Sequence, residues 1–417
     1  MHTEHKTTAD VILPENPACP LNVVLGGTPL LGRRTGIGRY TYELARSLVA
    51  SQIVDDLKLW GDLSFLDAGM LKRGDPTSEG PADLADKINR GRSGSLAVSA
   101  RAFASRSYYA SMVYQFVSGA MAERRLRPLA DSHLYHSPNF IMPHFDGAQV
   151  ITIHDLSTIR FPQFHRKQMV VLCEGGIRSA IEGKAHVITD SFHVRDELVK
   201  DFGVEGSRIS TVHLAPDPRC RPRHESECRH ALDALGLSHK AFFLSVGTIE
   251  PRKNLLRVFE AFRAGRRASH FDWPLIVVGA SGWKSSREHE MLDELIKDGL
   301  ALYLNYVTDD TLLTLYASAG ALVFPSLYEG FGLPALEAAA CGCPVITSEH
   351  SAMAEFAPEQ TLFVNPEDVS SISDALKAIP SRSEFGSGFD VSTQAAARTW
   401  VDVAHETSDV YRAALRG

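Results

Sequence analysis

Two glutamates eight positions apart, Glu329 and Glu337, stand in the string Phe324-Pro325-Ser326-Leu327-Tyr328-Glu329-Gly330-Phe331-Gly332-Leu333-Pro334-Ala335-Leu336-Glu337. An apolar run enters this string and a proline sits where a helix would begin, the order of strand, loop and helix start. Gly330 and Gly332 let the backbone approach a ligand closely. The exposed N–H groups of a helix start, with the macrodipole, favour a phosphate. Carboxylates accept hydrogen bonds from hydroxyls. With one glutamate before the helix and one in its first turns, both can face a ligand that carries sugar hydroxyls beside phosphate. A second string, Gly247-Thr248-Ile249-Glu250-Pro251-Arg252-Lys253-Asn254, also follows an apolar run and precedes a helix. Its adjacent Arg252 and Lys253 could neutralise a departing diphosphate. A third, Ile151-Thr152-Ile153-His154-Asp155-Leu156, sets His154 at a strand end.

The elements that must hold these groups follow from the apolar pattern. Short apolar runs at 21–25, 134–136, 150–153, 186–189 and 211–213 read as buried strands of a parallel sheet. Runs at 242–246, 274–278, 321–324 and 344–347 form a second series. Strands alternating with helices imply α/β layers, and two series imply two doubly wound domains facing a cleft. Ligands of such sheets bind beyond the carboxyl ends of the strands, where the three strings fall. The expected boundaries are a disordered tail at 1–19, a first domain at 20–225, a second at 226–394 and a final helix at 395–417. A stretch dense in Pro, Arg, His and Asp at 216–240 suits the connection between domains.

Residues 72–100, rich in Gly, Ser, Asp and Arg, read as a loop or lid. Residues 101–127 read as an amphipathic helix, with Tyr108, Tyr109, Met112, Val113 and Phe116 among several arginines. Peripheral membrane contact through 101–127 and ordinary packing on its own domain are both open for that helix.

The net charge of −7 argues against a general nucleic-acid binder. Six cysteines without a CxxC pair form no disulfide framework or zinc site, which fits a reducing cytoplasm. The first 19 residues are no signal peptide, and no apolar stretch reaches the ~18 residues a membrane span needs. A soluble protein, or one peripheral on the inner face of the cell membrane, is expected.

The string from 324 to 337 resembles the E-x7-E element of the retaining glycosyltransferases of family 4, which have the GT-B fold of two Rossmann-like domains. The resemblance runs from about Leu21 to the end of the chain, apart from 72–127. It implies that Glu337 binds the donor ribose and that Glu329 lies near the transferred sugar. It implies further that the backbone of Phe331, Gly332 and Leu333 meets the sugar and diphosphate. Arg252 and Lys253, after Gly247, become the diphosphate clamp, Val307 a contact for the base, and His154 a contact for the transferred sugar. Gly36 and Gly38 resemble the glycine loop that borders the donor phosphates, and His136-Ser137-Pro138-Asn139 an acceptor-side loop. The last helix resembles the segment that crosses back to the first domain.

The catalytic set is thus His154, Arg252, Lys253 and Glu329. The implied chemistry is front-side substitution, in which the departing phosphate takes the acceptor proton. No D-x-D motif for a donor metal occurs, so no metal and no cofactor are expected beyond the nucleotide-sugar co-substrate. The Glu-Pro-Arg-Lys-Asn and His-Asp-Leu-Ser strings look most like bacterial mannosyltransferases of polysaccharide assembly. That implies GDP-mannose as donor and a saccharide or lipid-linked saccharide as acceptor. A UDP-sugar donor, a sugar-nucleotide epimerase of the same fold and a non-catalytic sensor are the alternatives.

Overall fold

The computed structural model describes residues 20–31, 36–71, 108–358, 361–381 and 397–416, with the backbone alone at 108–116. The tail at 1–19, the lid at 72–100 and the aromatic face at 108–116 fall outside the described residues or side chains.

Two sheets carry the molecule. The first contains β1 (Asn22–Gly26), β2 (Asp56–Trp60), β3 (Phe65–Leu66), β4 (Leu134–Ser137), β5 (Gln149–Ile153), β6 (His186–Thr189) and β7 (Ile209–Thr211), in the order β3-β2-β1-β4-β5-β6-β7. The second contains β8 (Phe243–Val246), β9 (Leu275–Val278), β10 (Ala301–Leu304), β11 (Ala321–Phe324), β12 (Val345–Ser348) and β13 (Leu362–Val364), in the order β10-β9-β8-β11-β12-β13. Every pairing is parallel except that of β2 with β3. Parallel strands are covered on both faces, so they read as continuous apolar runs; Val150, Ile151 and Ile153 of β5 have no exposed surface.

In each sheet the chain winds outward one way, then jumps over its first strand to wind the other way. The jumps fall between β1 and β4 and between β8 and β11. At these switch points the following loops diverge and leave a crevice beyond the carboxyl ends. The helix Ile37–Ala50 follows β1, and its Leu44 and Leu48 are completely buried; each such side chain contributes about 1.5–3 kcal/mol of transfer free energy.

The last helix, Trp400–Arg416, packs on the helix Ile37–Ala50 and on β5 and β6 of the first sheet. Its buried residues Trp400, Val403, Ala404 and Tyr411 form one stripe at helical spacing.

Several elements differ from the reading of the sequence. β2, Asp-Leu-Lys-Leu-Trp, went unread because near the sheet's edge polar residues interrupt its apolar pattern. β7 lies two residues earlier than the run at 211–213. The stretch 216–240 contains the helix Glu225–Leu235, opened by a capping box between His224 and Glu227 and buried through Cys228 and Leu232. Dense charge hid that four-residue spacing. This helix packs on the helix Asp309–Ser318.

Candidate active site

The carboxyl ends of β8 and β11 are neighbours, so the segments that leave them meet. After β8, Gly247 turns the chain at φ 142°, a conformation closed to most side chains. The 3-10 turn Pro251–Lys253 then presents two cations. Arg252 Nη1 donates to Glu329 Oε2 at 3.0 Å and to the Tyr328 carbonyl at 2.8 Å. Lys253 Nζ donates to Glu329 Oε1 at 2.6 Å. From behind, Glu250 Oε1 accepts from Arg252 Nε at 3.1 Å and Nη2 at 2.7 Å. Asn254, held at φ 62°, donates to the carbonyls of Pro325 at 3.0 Å and Pro366 at 2.6 Å and so pins the turn to the second sheet.

Burial works against ionising Glu329, but Arg252 and Lys253 outweigh it and bring its pKa down to about 2. Burial pushes the Lys253 ammonium below its ordinary value, with Glu329 opposing. Two cations on one carboxylate is an arrangement that a second anion can enter.

A folded carboxylate held at about 2 against an ordinary 4.5 contributes stability that is complete above the ordinary value. It is lost as pH falls through the folded one. The contribution is about 3 kcal/mol. In melting curves between about pH 6 and pH 3, the gap between the wild type and Glu329→Gln is therefore expected to narrow as the solution becomes more acidic.

Glu337, in the helix Leu333–Ala340, belongs to a second cluster. Its Oε1 accepts from Arg39 Nη1 at 2.9 Å. Arg39 also bonds Asp217, which pairs with Arg219 Nη2 at 2.7 Å, and Arg219 reaches Asp309 at 2.8 Å. Burial raises the Glu337 pKa, with Arg39 opposing. Gly36, exposed at φ 43°, and Gly38, in the first helical turn, flank this cluster through their neighbour Arg39.

Gly332 caps the helix Leu333–Ala340 at φ 102°, where a Cβ would lie 2.6 Å from Met353. The Phe331 ring lies tilted against Phe356, 4.6 Å between centroids, and is buried. Leu333 is half-buried at the helix start. Val307 is half-buried against the core, two residues before Asp309.

His154 comes from the other half. Its Nδ1 lies 2.7 Å from Asp190 Oδ2 and its Nε2 3.0 Å from the Pro138 carbonyl. The Tyr40 ring meets it edge-on at 4.7 Å. The loop of Glu329 is pressed against this corner. A Cβ on Gly330 would stand 1.7 Å from the His154 carbonyl oxygen, and the Gly330 carbonyl accepts from Ser191 Oγ at 2.6 Å. Tyr328 Oη donates to Glu197 at 2.5 Å and accepts from the Leu156 N–H at 3.1 Å. Beside them, Glu355 of the second half accepts from the N–H groups of Phe192 and His193 and pairs with His213. The two halves therefore meet in a closed arrangement, with Arg252, Lys253, Glu329 and His154 around one corner. Among the described residues, no group of three or more His, Cys, Asp or Glu could hold a metal ion, and no helix is long and apolar enough to cross a membrane.

Residues 233–385 match the family model of glycosyl transferases group 1. The chain is 32% identical to the O-antigen chain mannosyltransferase B of Escherichia coli over 353 residues, 85% of this chain and 89% of that one. The chain belongs to the group 1 glycosyltransferases. It is also 29% identical to the O-antigen chain mannosyltransferase RfbU of Salmonella typhimurium, over 55% of this chain and 60% of that one. Among solved structures, the sucrose-phosphate synthase of Thermosynechococcus elongatus superposes with a TM-score of 0.58 at 18% identity, over 95% of this chain and 97% of that one. The architecture of this glycosyltransferase is thus GT-B, two α/β units about a cleft.

Several residues of this glycosyltransferase's corner and of the cluster around Glu337 were not read as site residues from the sequence: Arg39, Asp190, Asp217, Glu250 and Tyr328. Glu250 and Tyr328 sit inside the two strings and Arg39 beside the two glycines. Asp190, directly after β6, carried the signal of a polar residue at a strand's carboxyl end.

Proposed function

We propose that this glycosyltransferase transfers a mannosyl group from GDP-mannose to a hydroxyl of a saccharide or lipid-linked saccharide in surface polysaccharide assembly, with retention at the anomeric carbon. The observation that carries the reading is the convergence of Arg252 and Lys253 on Glu329 at the carboxyl ends of β8 and β11. The names of the two bacterial relatives, both O-antigen chain mannosyltransferases, support mannose as the sugar and polysaccharide as the product.

In this reading the bond from the anomeric carbon to the diphosphate oxygen breaks as the acceptor oxygen bonds to that carbon. The acceptor proton passes to the departing phosphate oxygen. Arg252 and Lys253 exchange Glu329 for the diphosphate and stabilise its growing charge. The helix start at Leu333 adds N–H groups to the same anion. Glu329, released from both cations, accepts from hydroxyls of the transferred sugar, and Glu337 accepts from those of the ribose. His154 meets the sugar from the opposite half. Two side-chain cations at the diphosphate leave no step that needs a metal.

The test is turnover of GDP-mannose, UDP-glucose and UDP-N-acetylglucosamine with mannose-terminated oligosaccharides, with and without EDTA. The expected result is an α-linked mannosyl product from GDP-mannose alone, formed equally in chelator. A β-linked product overturns retention. Turnover that EDTA abolishes and manganese restores overturns the metal-free step. Preference for a UDP-sugar moves the donor assignment to that class.

A further inference from the structure

Three parallel strands end together around His154. β4 runs into Pro138, β5 into His154 and β6 into Asp190. The Pro138 carbonyl, 3.0 Å from Nε2, can only accept, so Nε2 carries a hydrogen. An ionised Asp190 carboxylate, 2.7 Å from Nδ1, also only accepts, so Nδ1 carries one too. A ring with both nitrogens protonated has no lone pair left.

We propose that Asp190 is a positioning residue that, with the Pro138 carbonyl, holds His154 doubly protonated, so that His154 faces the bound sugar as a cation and never as a base. The proposal rests on the reading of this corner as the place of the donor sugar.

Two further observations support it. Asp190 is almost fully buried, and its Oδ1 has no hydrogen-bond partner. Buried carboxylate oxygens are costly when unpaired, and one retained beside a histidine calls for a functional reason. Burial opposes charge on the His154 ring, yet Asp190, the Pro138 carbonyl and Asp155 together raise its proton affinity above the ordinary histidine value. His136 is pushed down to about 3 by burial, and Tyr40 meets the ring edge-on with its hydroxyl on Thr152. Burial raises the Asp190 pKa, and the His154 and His213 rings oppose it.

The experiment uses the full chain labelled with 15N-histidine, the His154 ring signals being assigned by their loss in His154→Gln. The wild type is expected to show N–H on both ring nitrogens at about pH 7, and Asp190→Asn a titration at least about one unit lower. Asp190→Asn is also expected to reduce kcat about tenfold to a hundredfold with little change in donor KM. In the His154→Gln background it is expected to reduce kcat no further. A wild-type ring with a single protonated nitrogen at neutral pH overturns the proposal, and this measurement needs no variant that folds. An equal loss of kcat with His154 already replaced overturns it as well. If the wild type turns over no nucleotide sugar, the functional reading falls while the ring signals still decide the protonation.

Discussion

Lys253→Ala is expected to lower kcat by about a hundredfold or more, the scale of losing one preorganised charge from a leaving group. The ammonium is 2.6 Å from Glu329, and its side chain is 13% exposed, so its charge acts in a shielded site where it counts for more than in water. Arg252→Ala is expected to cost at least as much, because it also frees Glu250 and the Tyr328 carbonyl. Removing one partner of a buried pair destabilises by about 3–5 kcal/mol, so the kinetics have to be read beside melting curves. The double variant Lys253→Met with Glu329→Gln separates the two effects. It removes the stranded charge, should recover part of the lost stability, and should remain without turnover. Turnover near the wild-type level in folded Lys253→Ala would remove Lys253 from the clamp.

Gly330→Ala is expected to abolish transfer while leaving both sheets folded. Its added methyl would stand 1.7 Å from the His154 carbonyl oxygen and 2.7 Å from both the His154 carbonyl carbon and Asp155 Cβ. Those atoms belong to backbone and to the opposite half, so no rotamer change relieves the overlap. The contact can be lost only by parting the halves, which would break Ser191 with Gly330 and Tyr328 with Glu197 and withdraw Glu329 from His154. Small-angle scattering is expected to report a larger radius of gyration for the variant, and far-ultraviolet circular dichroism an unchanged spectrum. A variant as compact and as active as the wild type would show that closure is not required in this form.

The two strings that converge at Glu329 were readable because their strand, turn and helix start are local. A strand, a glycine turn and a helix start follow one another within fourteen residues from Phe324 to Glu337. The strands were readable as apolar runs for the same reason, and with them the α/β class. Pairings made by the tertiary structure were not. Arg39 meets Glu337 across 298 positions and Tyr328 meets Glu197 across 131, and no spacing rule spans such distances. Gly330 shows the division within one residue. Its identity stands in the sequence, but its necessity comes from a carbonyl at position 154. β2 escaped because an interrupted apolar pattern near a sheet edge gives a weak signal.

The helix Trp400–Arg416 returns the chain to the half where it began, so the polypeptide passes between the halves twice: once between β7 and β8, and once ahead of Trp400. A body joined to its partner at one point can swivel about many axes, whereas one joined at two points keeps mainly the rotation about the line through them. Opening for donor entry is then a narrow, repeatable swing, and each return brings Gly330 back to the His154 carbonyl. Cutting the chain ahead of Trp400 would leave the residues of the clamp untouched and remove that guidance.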